Sequence, residues 1–418
     1  MTGGLAALSD RFEAWLTAAQ EDEQLTAFRR TTALVLAFDD GESRVAVEVT
    51  PDGVRRGTPE RPAEVTLVAP AAAWRSLLSA SPEPTMNHFL AMKMRVEGAR
   101  IEGDELKFAQ EAHVIRRLID QARRVVDADV PRARDERLDR ARISGRYVSV
   151  SIGDADVDLY VEEAGNVDEA PLLVLHTAGA DSRQAHALMG DASLGRRVVA
   201  FDLPGHGRSD ALPGPLGTWT LTADRYVEAV SGIVEALGLQ RPVLLGASMA
   251  GQACLLMAAR IPHLLGGVIA CEASDLVAGR VTPWAGDSRV NEALYVPEWI
   301  EGLIGPGSSR AMHDLIWRSY SQGGHRTFAG DIDFYSGGGW DGRRLVTEID
   351  TVRCPVVLMT GEYDYSCLPA MSEATAAKIS GAHYWTMPGL GHFPLIENPV
   401  SFRPHLDRAL SLMGEVHA

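Results

Sequence analysis

Beyond residue 142 the chain alternates short apolar runs with helix-patterned stretches. Tyr147–Ile152 and Val157–Glu162 read as a hairpin. Leu172–Leu175, Arg197–Phe201, Pro242–Leu245, Gly267–Cys271, Val356–Met359 and Tyr384–Met387 follow as runs apolar on both faces. That pattern belongs to parallel strands covered on both sides by helices. Between the sixth and seventh of these eight runs lies a long interval with helical patches of its own, from about Ser274 to Arg353. It is too long for a crossover and predicts an insertion over the sheet. The front of the chain has another rhythm. Ala33–Phe38 and Ser43–Thr50 flank the turn Asp39-Asp40-Gly41-Glu42, and Glu64–Val68 is a third β-rich run. Ala71–Leu78 reads as helix, Lys93–Glu97 and Ala99–Ile101 as extended, and His113–Val126 as helix again.

These patterns divide the 418 residues into an α+β domain over 1–126, a charged linker over 127–141, an α/β core over 142–273 and 350–418, and a cap over 274–349. The expected fold class is α/β, a mostly parallel doubly wound sheet with a helical cap insertion, preceded by a smaller α+β domain.

Composition narrows the function classes. A formal charge of −16 disfavours nucleic acid and anionic membrane surfaces as partners, since both call for a basic face. No run reaches the roughly 20 apolar residues of a membrane-spanning helix, and the acidic N-terminus is unlike a secretory signal. Cys254, Cys271, Cys354 and Cys367 show no C-x-x-C pair, which points to buried thiols, a reducing compartment and a cytoplasmic protein.

The chemistry centres on LLGASMAGQ, residues 244–252, where Ser248 stands between an apolar run and a helix-like run. A nucleophilic serine needs a base, an acid that orients the base, and donors for an oxyanion. In a doubly wound sheet these come from loops at the carboxyl ends of strands. Ser248 meets that condition. Asp364 follows the run ending at Met359, and His392 follows the run ending at Met387. Small residues are required on both sides of such a serine, and Gly246, Ala250 and Gly251 supply them. Alanine takes the fifth place of G-x-S-x-G, and the glycine arrives one residue later. The bland alternative is a small-residue turn with an idle serine, and Glu362 and Glu272 compete with Asp364 for the acid. Oxyanion donors are expected from the Met249 N–H and, in the loop HTAGADSRQ, the Ala178 N–H. His176 reads as a brace for that loop, and His206 as a turn residue.

Taken together, FDLPGHGRSD, GASMAG, the GEYD loop and GLGHFPLIENP resemble the α/β-hydrolase superfamily over residues 142–415. The resemblance implies an α/β-hydrolase fold, a Ser248–Asp364–His392 triad in that chain order, and a cap domain after Cys271. HTAGADSRQ departs from the commoner His-Gly opening by placing Thr177 where glycine is usual. The front domain resembles the sterol-carrier-protein-2-like fold over about 100 residues, most visibly at the ARIEGD turn. That implies an apolar tunnel or, alternatively, a dimerisation and docking module, so a homodimer is one outcome.

Within the cap, Trp284, Trp299, Trp317 and Trp340 accompany Tyr295, Tyr320, Phe328, Phe334 and Tyr335. Rigid aromatics above a catalytic loop suit an apolar or ring-containing ligand, although they equally suit a cap's own core. His176, Thr177, Trp284, Trp317, Trp340 and Tyr335 are the substrate-facing candidates. His325 and Asp331 have no metal spacing, so neither metal nor cofactor is expected. The leading expectation is a serine hydrolase of an ester, thioester or lactone of a hydrophobic small molecule. Hydrolysis of a carbon–carbon bond in a β-diketone-type substrate is the alternative on the same triad. A lipid carrier with a vestigial hydrolase domain is a second alternative from a different class.

Overall fold

The computed structural model of the protein describes residues 4–135 and 137–415. Their backbone contacts separate two compact units: residues up to Arg132 with Asp287–Pro306, and Ala133–Gly286 with Gly307 onward. The division falls inside the expected linker, between Arg132 and Ala133.

In the first unit five strands, β1 (Leu34–Asp39), β2 (Arg44–Thr50), β3 (Gly53–Arg56), β4 (Val65–Val68) and β5 (Arg100–Gly103), form a sheet in the order β3-β2-β1-β4-β5. β1 runs antiparallel to β2 and parallel to β4. Trp15, Phe38 and Trp74 build the core, with ring centroids 5.7 and 5.5 Å apart along the series. The long helix Glu105–Val126 starts well before the expected His113, because the Asp104 carboxylate accepts the Lys107 N–H at 3.0 Å and caps it. Lys93–Glu97, expected as extended, belongs for the most part to a helix, Phe89–Arg95, which buries Phe89 and Met92 on one face.

The stretch expected as a single cap, 274–349, is shared between the units. Its helix Glu292–Glu301 lies along Glu105–Val126, where Glu298 forms a two-pronged ion pair with the buried Arg116. Asn87 Nδ2 donates to Gly302 O at 2.8 Å beside it. A carboxylate buried at 2 % exposure needs such a cation, and this pairing holds the segment in the first unit.

The second unit is built on an eight-stranded sheet. Its strands are β6 (Ser144–Ile152), β7 (Ala155–Ala164), β8 (Pro171–Leu175), β9 (Arg197–Phe201), β10 (Val243–Ala247), β11 (Gly267–Cys271), β12 (Val356–Gly361) and β13 (His383–Met387). They match the eight apolar runs, in the order β13-β12-β11-β10-β8-β9-β7-β6. β6, β7 and β9 pair antiparallel, whereas β9, β8, β10, β11, β12 and β13 run parallel. Every residue of β9 to β12 is buried. Each fully buried Val, Leu or Ile contributes about 1.5–3 kcal/mol relative to exposure. Because these strands are parallel neighbours, the loops after β8, β10, β11, β12 and β13 open on one edge of the sheet. No helix among the described residues is long and apolar enough to cross a membrane. All four cysteines are free and buried.

Candidate active site

Ser248 joins β10 to the helix Met249–Arg260 with φ 60° and ψ −125°. Of five non-glycine residues with positive φ among the described residues, two are Ser248 and Glu272 (φ 53°), each just past the end of one of two adjacent strands. Backbone strain of this kind costs about 1–3 kcal/mol per residue and persists only where packing imposes it. Here the packing is plain. A Cβ on Gly246 would lie 2.7 Å from Ala250 Cβ, and one on Gly251 would lie 2.1 Å from Cys271 O. The helix therefore passes so close to the strands that residues 246 and 250 can hold only one methyl group between them. That explains why alanine is tolerated at 250.

His392 sits in the loop after β13, and its Nδ1 donates to Asp364 Oδ2 at 2.7 Å. Asp364 Oδ1 accepts the N–H groups of Ser366 and Cys367 at 2.7 and 3.2 Å. Both residues are buried, at 2 % and 1 % exposure. The loops after β12 and β13 press together, with Tyr363 N donating to Leu390 O at 2.9 Å. Glu362 turns away from the ring and accepts the Gly389 N–H at 2.9 Å. No hydrogen bond joins Ser248 Oγ to His392 among the described residues, a contact that often forms only in the substrate complex.

Glu272 lies beside the pair. Both its carboxyl oxygens are 3.0 Å from Gly361 N, and its carboxyl, that of Asp364 and the His392 ring nitrogen lie within 4.8 Å of one another. Complete burial, and then the neighbouring Asp364 charge, push its pKa well above the usual carboxylate range, so Glu272 holds its proton. The His392 ring is bonded to Asp364, not Glu272. These three side chains are also the group a metal could address, but Asp364 is committed to His392 and two backbone N–H groups, and Glu272 to Gly361.

The loop after β8 is bonded at almost every polar atom. Thr177 N donates to Gln184 Oε1 at 2.9 Å, and Thr177 O accepts His176 Nδ1–H at 2.8 Å and Ala180 N–H at 3.1 Å. Gly179 N donates to Asp331 Oδ2 at 2.7 Å. The Ala178 N–H alone of residues 177–180 has no acceptor among the described residues, and Met249, first in its helix, offers a second open N–H. His176 Nε2 accepts the Leu203 N–H at 3.0 Å, the bracing role its position implied.

The aromatic candidates separate. The Tyr335 ring is 6.5 Å from that of His392, and its hydroxyl bonds Ser366 Oγ at 3.0 Å. Thr177 Oγ1 meets the Tyr320 hydroxyl at 2.5 Å, and the Tyr320 ring packs 5.7 Å from Phe393, next to His392. Burial raises the pKa of both tyrosines, which stay neutral phenols. Trp340 instead donates Nε1–H to Ser274 O at 3.0 Å and packs near Phe334, as internal bracing. Trp284 and Trp317 are half-buried on the insertion. Sequence patterning named Tyr320 only as one of the cap aromatics, with no partner, and gave no role to Gln184. Their only signal was a polar residue in a loop or helix whose partner lies elsewhere in the chain.

Comparison with known proteins agrees with this architecture. Residues 172–403 match the model of the alpha/beta hydrolase family. A 2-hydroxy-6-oxononadienedioate/2-hydroxy-6-oxononatrienedioate hydrolase of a Pseudomonas species is 27% identical over 171 residues, 38% of this chain and 56% of that protein. The chain thus spans about half the length of such curated relatives. Among solved structures, the enol-lactonase from Burkholderia xenovorans LB400 is similar with a TM-score of 0.55 at 20% identity, covering 64% of this chain and 100% of the other. A thermophilic esterase from Thermogutta terrifontis is similar with a TM-score of 0.53 at 21% identity, over 65% and 100%. At such identities the likeness shows the fold alone.

Proposed function

The chain belongs to the alpha/beta hydrolase family, and on that premise we propose that it is a serine hydrolase whose Ser248, His392 and Asp364 cleave an ester, thioester or lactone of a hydrophobic small molecule. Ser248 Oγ attacks the carbonyl carbon while His392 Nε2 takes its proton. Asp364, bonded to Nδ1–H, fixes the tautomer that leaves Nε2 free to accept and stabilises the imidazolium that forms. The oxyanion receives the Met249 and Ala178 N–H groups. His392 then returns the proton to the departing alcohol or thiol, and water repeats the sequence on the acyl-enzyme. Tyr320, Tyr335 and Phe393, around His392 and the loop after β8, favour an apolar acyl or ring group.

The observation that carries this reading is the buried His392–Asp364 hydrogen bond of 2.7 Å, formed by two loops on the sheet edge that also holds the strained Ser248. Ser248→Ala tests it. Hydrolysis of p-nitrophenyl butyrate should fall to background with the fold intact by circular dichroism, and retained turnover would remove Ser248 from the mechanism.

The second reading is hydrolysis of a carbon–carbon bond beside a ketone, favoured by the relatives named as hydrolases of 2-hydroxy-6-oxononadienedioate. A panel holding a dienol ketone and an aryl ester separates the two by the ratio of kcat/KM.

A further inference from the structure

A second buried acid–histidine pair lies in the same unit, outside the triad. Asp331, on the insertion helix Thr327–Tyr335, is completely buried. Its Oδ2 accepts the Gly179 N–H at 2.7 Å and faces His206 Nε2 at 2.8 Å, and its Oδ1 accepts Trp219 Nε1–H at 2.7 Å. The other ring nitrogen of His206, Nδ1, faces Pro204 O at 3.1 Å. Both nitrogens therefore face acceptors, and both are satisfied only when both carry protons. Burial alone would lower the His206 pKa, but the Asp331 charge and hydrogen bond outweigh it and raise it. Asp331 is a carboxylate matched by an imidazolium.

The consequence falls on the loop after β8. In a trans peptide the N–H and the preceding C=O point in opposite directions. His176 Nδ1–H and Ala180 N–H, both bound to Thr177 O, thus aim the Ala178 N–H to the far side of that plane. The next peptide plane, carrying the Gly179 N–H, is held among the described residues by Asp331 alone. Gly179 is left-handed at φ 69°, and a Cβ there would lie 2.5 Å from the Phe328 ring of the same insertion helix. Helix and loop are therefore fitted to each other.

We propose that Asp331 is the positioning residue of the oxyanion loop: by accepting the Gly179 N–H it fixes the peptide that follows Ala178, and with it the aim of the Ala178 N–H at the reacting oxygen. The inference rests on the serine-hydrolase reading above. It makes the oxyanion site complete only with the insertion helix seated on the loop. A carboxylate is needed because it serves three donors at once, which a neutral amide oxygen at this position does not.

The test compares Asp331→Asn, His206→Gln and Trp219→Phe with the wild-type enzyme on p-nitrophenyl butyrate, with amide exchange followed by mass spectrometry in the peptide covering 176–180. Asp331→Asn should lower kcat about 10- to 100-fold with KM within about 3-fold, below the 10²–10³ lost when an oxyanion donor is removed outright. Exchange in the 176–180 peptide should speed up while the remaining peptides keep wild-type rates. Trp219→Phe, which leaves the Gly179 bond in place, should keep kcat within about 3-fold whatever it does to Tm. If Asp331→Asn does not fold, Asp331→Glu, whose longer arm displaces the acceptor from the Gly179 N–H, carries the test with the same kcat and exchange signature, while His206→Gln, which leaves the Gly179 bond in place, should behave as Trp219→Phe does. Wild-type kcat in the folded variant, or a kcat loss with unchanged exchange at 176–180, would overturn the proposal. Failure of the underlying reading is distinguishable, because then Ser248→Ala would keep its activity.

Discussion

Gly251→Ala exposes the physics of the serine turn. In a helix interior the exchange would normally stabilise by about 0.5–1 kcal/mol, since glycine loses more backbone entropy than alanine on folding. Here the new Cβ would stand 2.1 Å from Cys271 O and 3.0 Å from Ala273 Cβ. The first neighbour is backbone, so no rotamer change relieves the clash. Restoring an ordinary contact near 3.4 Å moves the helix or the end of β11 by about 1 Å, and overpacking of this kind costs about 1–3 kcal/mol. The expected balance is destabilisation by up to about 2 kcal/mol, near 2–8 °C in Tm. Activity should suffer more. Cys271 O accepts the Ser248 N–H at 3.0 Å and precedes Glu272, so the shift reaches the nucleophile itself. A displacement of about 1 Å at a reacting group can cost about 10²-fold in rate. Thermal unfolding by circular dichroism and kcat on an aryl ester measure the two effects. Ala250→Gly, which removes a methyl and adds no contact, is the control and should keep kcat within about 3-fold. A Gly251→Ala enzyme with wild-type Tm and kcat would refute the close-approach reasoning.

Other outcomes follow from the same geometry. Asp364→Asn should lower kcat by about 10⁴-fold, whereas Glu272→Gln, an isostere of the protonated acid, should stay within about 3-fold; the reverse ranking would make Glu272 the working acid. The raised pKa of Glu272 means that the folded chain binds a proton the unfolded chain releases, so its contribution is present below the unfolded carboxyl pKa and lost as pH rises towards the folded value. The Tm of Glu272→Gln relative to wild type should accordingly climb from pH 5 to pH 9, and a flat difference would count against a neutral Glu272. Arg116→Met strands Glu298 and should destabilise the first unit by about 3–5 kcal/mol in urea unfolding, with a change under about 1 kcal/mol arguing that the pair is dispensable. A chain starting at residue 133 keeps Asp287–Pro306 without its packing partner and should aggregate in size-exclusion chromatography, while a monodisperse product would contradict the division of the chain.

What was readable beforehand was whatever depends on neighbours in sequence. The parallel strands of the second sheet announced themselves as apolar runs, because a parallel strand covered on both faces has little polar side to show, while the antiparallel β6 and β7 were legible as a hairpin. Ser248, Asp364 and His392 were legible as loop residues just past such runs, and the structure joins the last two directly. The long-range pairings were not legible. Gly179 and Asp331 are 152 residues apart, and Arg116 and Glu298 are 182 apart. Nothing local marks a carboxylate whose partner arrives only when the insertion folds. The 274–349 stretch read as one cap for that reason: its helical patches are visible in the sequence, but Glu298's need for Arg116 is not. Glu272 was visible as an acid past a strand, yet its protonation follows from burial beside Asp364, a tertiary fact.

The most direct test of the account is covalent labelling with a fluorophosphonate, read by intact mass and by mapping the modified peptide. The expected result is a single adduct at Ser248, absent from Ser248→Ala and slowed by several orders of magnitude in His392→Ala. Stoichiometric labelling of Ser248→Ala, or a wild-type enzyme that hydrolyses the aryl ester while Ser248 stays unmodified, would contradict it.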